Sequence, residues 1–107
     1  MKLTGKAKEA FKAYYVDQYQ EGTFRQYDWF KDLPEAFKWG VYQDWADRLG
    51  YELQTYVSMS NPIFFAYVIN RIEDDRAVGH KAAFKTRQES RNAAVDKLDD
   101  LINRQRK

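Results

Sequence analysis

Cysteine does not occur among the 107 residues. Disulfides and thiolate-ligated zinc are therefore excluded, and a reducing cytoplasm is the expected setting. Histidine occurs once, as His80, which is too few nitrogen ligands for a zinc site, and no motif-linked nucleophile accompanies it. Proline occurs twice and glycine five times, so neither a low-complexity linker nor a glycine-rich phosphate loop is present. Long apolar runs are missing too. The longest, Ile63 to Ile69, falls far short of a membrane span, and Met1 to Phe11 has no apolar segment of signal-peptide length. The charge is nearly balanced, at +2. A small domain built to hold nucleic acid is often more basic, so the overall charge does not single out such a partner.

Aromatic residues are abundant: eight Tyr, seven Phe and three Trp. Each buries a large surface, which argues for one packed domain spanning residues 1–107 and against disorder. The spacing of Ala7, Ala10, Phe11, Tyr14, Tyr15 and Gln18 predicts a helix from near Thr4, as its N-cap, to about Tyr19, with Gly22 and Thr23 ending it. Phe24 to Lys31 is irregular but aromatic and is expected to lie on the core.

Asp32-Leu33-Pro34-Glu35 predicts a second helix start, with Asp32 capping and Pro34 in the first turn. Phe37, Val41, Trp45 and Leu49 form its expected inner stripe, widened by Trp39, Tyr42 and Ala46, and Gly50 closes it. The period then changes to two. Tyr51 to Val57 reads as a strand, Ser58 to Pro62 as a turn, and Ile63 to Ile72 as a second strand. In the latter Ile63, Phe65, Tyr67 and Ile69 point one way, and Phe64, Ala66, Val68 and Ile72 the other. Glu73 to Arg76 reads as a hairpin tip. In the third strand Val78, His80, Ala82 and Phe84 alternate with Gly79, Lys81, Ala83 and Lys85, which places His80 inward as a structural residue.

Thr86 and Glu89 have capping-box spacing, and Ser90, Ala94, Leu98, Leu101 and Ile102 form the inner stripe of the last helix. The order α-α-β-β-β-α, a three-stranded antiparallel sheet with helices packed mainly on one face, is an α+β domain.

Lys81, Lys85, Arg87 and Arg91 are the candidate nucleic-acid-binding residues, since Lys85 follows Lys81 at strand spacing and Arg91 follows Arg87 by one helical turn. The alternative is a solvated strand end and helix cap. Tyr56, Phe65 and Tyr67 are candidate stacking or interface residues: with the basic cluster they would form an aromatic sheet platform, and without it a face for a partner protein or a second copy. Glu73-Asp74-Asp75 and Asp96, Asp99 and Asp100 lack Ca²⁺-loop spacing, so no metal, cofactor or catalytic residue is expected. A small non-enzymatic protein that binds another protein or itself is the leading expectation, and a nucleic-acid-binding module the alternative.

Two resemblances bear on this. From Tyr51 to Leu98 the element order, Thr86-Arg87-Gln88 at the last helix start and the pair Ala93-Ala94 resemble the double-stranded-RNA-binding domain. That resemblance implies a last helix offering basic residues to phosphates across the major groove, with minor-groove contacts from another helix and a strand loop. Gln88 stands where the family has a base, and Ser58 to Pro62 lacks its Gly-Pro-x-His turn. Over more of the chain, Leu3-Thr4-Gly5-Lys6-Ala7-Lys8, the run from Leu33-Pro34 to Trp39-Gly40-Val41-Tyr42-Gln43-Asp44-Trp45, and Thr86 to Ala94 resemble small uncharacterised proteins encoded by phages and prophages of gut bacteria. This second resemblance implies a genomic setting and no activity.

Overall fold

A computed structural model describes residues 2–18, 30–60 and 63–105. The described elements are α1 (Gly5–Gln18), α2 (Glu35–Arg48), β1 (Tyr51–Ser60), β2 (Ile63–Arg71), β3 (Arg76–Phe84) and α3 (Arg87–Gln105). The strands form one antiparallel sheet in the order β1-β2-β3. This is the expected α+β order. Gly22, Thr23 and the segment 24–29, and the turn residues Asn61 and Pro62, lie outside the described residues.

The core is one cluster on one face of the sheet. Tyr51, Leu53, Tyr67 and Ile69 from the strands meet Ala94, Val95, Leu98 and Ile102 of α3 and the aromatic faces of α1 and α2. Phe11 is its centre: its ring lies 4.8 Å from Tyr42, 5.0 Å from Phe30 and 5.1 Å from Trp45. Such tilted and edge-on contacts suit the aromatic quadrupole and add to the area buried. Phe30, expected on the core, is there, 2% exposed. Ser90 is buried in the last helix's inner stripe because its hydroxyl donates to the carbonyl of Arg87 at 2.7 Å, which satisfies it locally.

The inner stripe of α2 differs from expectation. Trp39, Tyr42, Trp45 and Ala46 are buried, Val41 and Leu49 are partly buried against them, and Phe37 is 66% exposed. The helix turns its two tryptophans inward, which carries the fourth-residue series at Phe37 off the buried side. Helix starts also depart from their local signals. Pro34, not Asp32, is the cap residue of α2, and no side chain caps it. Glu35 instead accepts a bond from Gln88 of α3 at 3.2 Å and pairs with Lys38 at 3.6 Å.

Thr4 does not cap α1 with its own hydroxyl. The cap is supplied by α3: Asn103 Oδ1 accepts the amide of Ala7 at 3.0 Å, and Asn103 Nδ2 donates to the Thr4 carbonyl at 3.1 Å. The Thr4 amide and hydroxyl both donate to Asp99, at 2.7 and 2.8 Å. Only the last helix follows its signal, with the Glu89 amide donating to Thr86 Oγ1 at 3.1 Å. Glu89 reaches back to the amide of Lys85 at 3.3 Å, one residue before the box partner. Gly50, with φ at +93°, ends α2 as expected.

Two irregularities shape β3. Its register against β2 slips once between the pairs Asn70–Ala77 and Ile69–Gly79, and again between Tyr67–Lys81 and Phe65–Phe84. Each slip inserts one residue, and Ala83 at the second adopts φ +79°. A third slip lies in β1 between Val57 and Met59, so that strand continues to Ser60 instead of stopping at Val57. Ile72 belongs to the turn after β2, closed by Arg71, which donates twice to Asp74 at 3.0 and 2.7 Å.

Candidate functional site

Two surfaces carry the candidate residues, and they lie on opposite faces of the sheet. The face away from the core bears Glu52, Gln54 and Tyr56 of β1, Ala66, Val68 and Asn70 of β2, and Ala77 and His80 of β3, as the cross-strand partners require. No described helix packs on it, and it bears no Lys or Arg among these positions.

His80 is on this face, not inside. It pairs with Val68, and the extra residue at Val78 has reversed the alternation that would have turned it to the core. Its ring stacks near-parallel with Tyr56, centroids 6.1 Å apart, and its Nε2 lies 2.5 Å from the Tyr56 hydroxyl. The two rings thus meet across the middle strand, where Ala66, opposite Tyr56, is small enough to leave room and is itself fully covered. Half-buried Val68 and Phe64 extend the apolar strip.

The other surface is at the end of the sheet where β3 gives way to α3, on the core-bearing side. Phe65 and Phe84 are opposite each other there. The Lys81 ammonium lies 5.8 Å from the centre of the Phe84 ring, and the Arg87 guanidinium 5.3 Å from that of Phe65. One turn along α3, the Arg91 guanidinium lies 5.6 Å from the Trp39 ring. Cations over ring faces at this range are held by the ring quadrupole. Lys81 is therefore on the opposite face from Tyr56, because Lys81 is the partner of Tyr67; Lys85 lies beyond the end of β3. An outer platform uniting Tyr56, Lys81 and Lys85 is not formed.

Tyr67 is 6% exposed inside the core, so its ring offers no free face for stacking. Burial, and secondarily the charge of Asp96, push its hydroxyl above the usual tyrosine range. Phe65 is half-buried beneath Arg87. Sequence pattern missed Trp39 and Phe84 as ring partners of the cations and Tyr56–His80 as a pair. Spacing carries no trace of the first two, and the pair requires knowledge of the β3 slip.

Among the described residues no group of three or more His, Asp or Glu side chains converges to hold a metal ion. No described helix is long and apolar enough to cross a membrane. No known protein family, curated protein or solved structure matches the chain.

Proposed function

We propose that the protein is a small non-enzymatic interaction module, acting in the cytoplasm in the setting of a phage or mobile element, and that its open sheet face meets a partner protein or a second copy of itself. The observation that carries this is the face that no described helix covers: an aromatic and aliphatic strip of Tyr56, His80, Val68 and Phe64 with no lysine or arginine among them. A phosphate backbone finds no counter-charge there, whereas apolar surface of this kind is what protein partners cover.

Size bears on which partner holds best. Three strands spaced about 4.8 Å apart and about 30 Å long present roughly 400 Å² per copy. Two such faces together bury roughly 800 Å², about half of a standard stable interface. Self-association through this face alone is therefore weak, and a partner that also reaches past the sheet margin binds more tightly.

Sedimentation velocity from low to high micromolar concentration tests the self-association arm, with Val68→Lys placing a charge at the centre of the strip. A photoreactive side chain in place of Val68 tests the partner arm. Concentration-dependent association abolished by Val68→Lys, or a crosslink to one protein from a photoreactive group moved to Gln54, the cross-strand neighbour of Val68, that Val68→Lys abolishes, supports the proposal. A strictly monomeric protein that yields no crosslink refutes it.

A further inference from the structure

The open face leaves the basic cluster unused. Among the described residues Lys81, Lys85, Arg87 and Arg91 make no ion pair, whereas Lys38, Arg71, Lys97 and Arg104 each pair with a carboxylate. Glu89, two residues from both Arg87 and Arg91, is engaged with the Lys85 amide, and Glu35 is engaged with Gln88 and Lys38. Arg91 is held by a ring and not by a carboxylate: its guanidinium rests over Trp39, and its buried Nε has no hydrogen-bond partner among the described residues. Three of the four cations lie over aromatic rings, and two of those rings, Phe65 and Phe84, are direct cross-strand neighbours. The helices do not cover the sheet fully at this end, since Val57, opposite Phe65, is 47% exposed.

We infer that this end of the sheet is a second binding surface, for single-stranded nucleic acid, separate from the open face and independent of what covers it. Unpaired cations supply contacts to successive phosphates, and flat rings and guanidinium planes between them supply surfaces on which bases stack. An acidic peptide would satisfy the charges but not use the flat apolar floor. A duplex, with its bases stacked inside, would not use it either.

The charge count sets the expected salt dependence. About three to four phosphate contacts on a single strand give a loss of roughly 20- to 50-fold in affinity between 50 and 200 mM salt. The experiment is fluorescence anisotropy of the full chain with a labelled single-stranded oligonucleotide, a matched duplex and a polyglutamate peptide.

Arg87→Ala with Arg91→Ala, leaving about two contacts, reduces the salt-dependent loss to roughly sevenfold. Since both arginines rest on rings of the folded domain, Lys85→Glu gives a second measure: its side chain is exposed and makes no hydrogen bond, ion pair or ring contact among the described residues, so charge reversal there weakens binding with little effect on packing. Lys8→Glu on α1, which packs near Asn103 at the other end of α3, changes net charge equally and leaves affinity nearly unchanged. Single-strand binding with this slope, lost on Lys85→Glu and kept on Lys8→Glu, supports the inference. No binding at 50 mM salt, equal or tighter binding of the duplex or polyglutamate, or equal losses from Lys8→Glu and Lys85→Glu would each overturn it.

Discussion

Replacing Asn103 by Ala removes the cap of a helix that begins almost a hundred residues earlier. Four bonds go with it. Asn103 Oδ1 holds the Ala7 amide at 3.0 Å, and Nδ2 donates to the Thr4 carbonyl, the Thr4 hydroxyl and Asp99 at 3.1, 3.2 and 3.1 Å. Ala7 is fully buried, so its amide loses its acceptor with little access to water, a cost of about 1–3 kcal/mol. Thr4 is exposed, and water replaces most of what Nδ2 supplied there. Alanine returns about 0.5 kcal/mol through its higher helix propensity.

The net expectation is a destabilisation of about 2 kcal/mol, read as a lower urea midpoint at unchanged slope, and a fall in Tm of roughly 10 °C. Asn103→Asp sharpens the test. It keeps the Oδ1 acceptor but loses the Nδ2 donor and sets a second carboxylate beside Asp99. Asn103→Asp is therefore expected to destabilise at neutral pH and to recover part of the loss as the solution is acidified. If both variants stay within about 0.5 kcal/mol of wild type, water completes the cap and the reasoning is refuted.

Phe11→Ala should cost about 3–5 kcal/mol, because three rings within 5.1 Å of Phe11 would line the cavity; a urea melt showing less than half of that would mean the aromatic cluster collapses onto the gap. Ala83→Gly should stabilise by about 0.5–1 kcal/mol, since the strain of φ +79° on an L-residue exceeds the extra entropy glycine loses on folding; no gain in Tm would show the strain to be absent in solution. Burial first, then the charges of Glu52 and Asp44, raise the carboxyl of Asp47. A folded group that binds its proton more tightly than the unfolded chain makes stability fall as pH rises from the ordinary aspartate value toward the raised one. Asp47→Asn should therefore gain about 0.3 kcal/mol at neutral pH, a screened surface value, and show no gain well below pH 4; a gain that persists in acid would rule out the charge as its cause.

Most of the element order was legible because its signals are local. The periodicity of Ala7, Phe11 and Tyr15, the change to period two at Tyr51, Gly50 as a helix stop and the Thr86–Glu89 box are each written within a few residues, and each corresponds to a described feature. What was not legible depends on contacts distant in sequence. Caps from Asn103 to Ala7 join residues 96 positions apart, and no pattern around Thr4 reveals them. The inner stripe of α2 turned on how two tryptophans fit the core, not on spacing, so Phe37 was misplaced. His80 was misassigned for a single physical reason: alternation predicts a face only while the register holds, and one inserted residue at Val78 reverses it. The four basic residues were visible at once, but the rings of Trp39, Phe65 and Phe84 that hold three of them were not.

The slips of β3 also govern how copies of this chain can aggregate. β3 is an edge strand, and an even, unbroken edge is a template on which another chain can add by backbone pairing. Two inserted residues within nine, with a left-handed Ala83 at one of them, break the even spacing of amides and carbonyls that an incoming strand would need. On the opposite edge, Gln43 of α2 already holds the carbonyl of Leu53 in β1 at 3.0 Å. With both margins obstructed, fibril-like growth by strand addition is disfavoured.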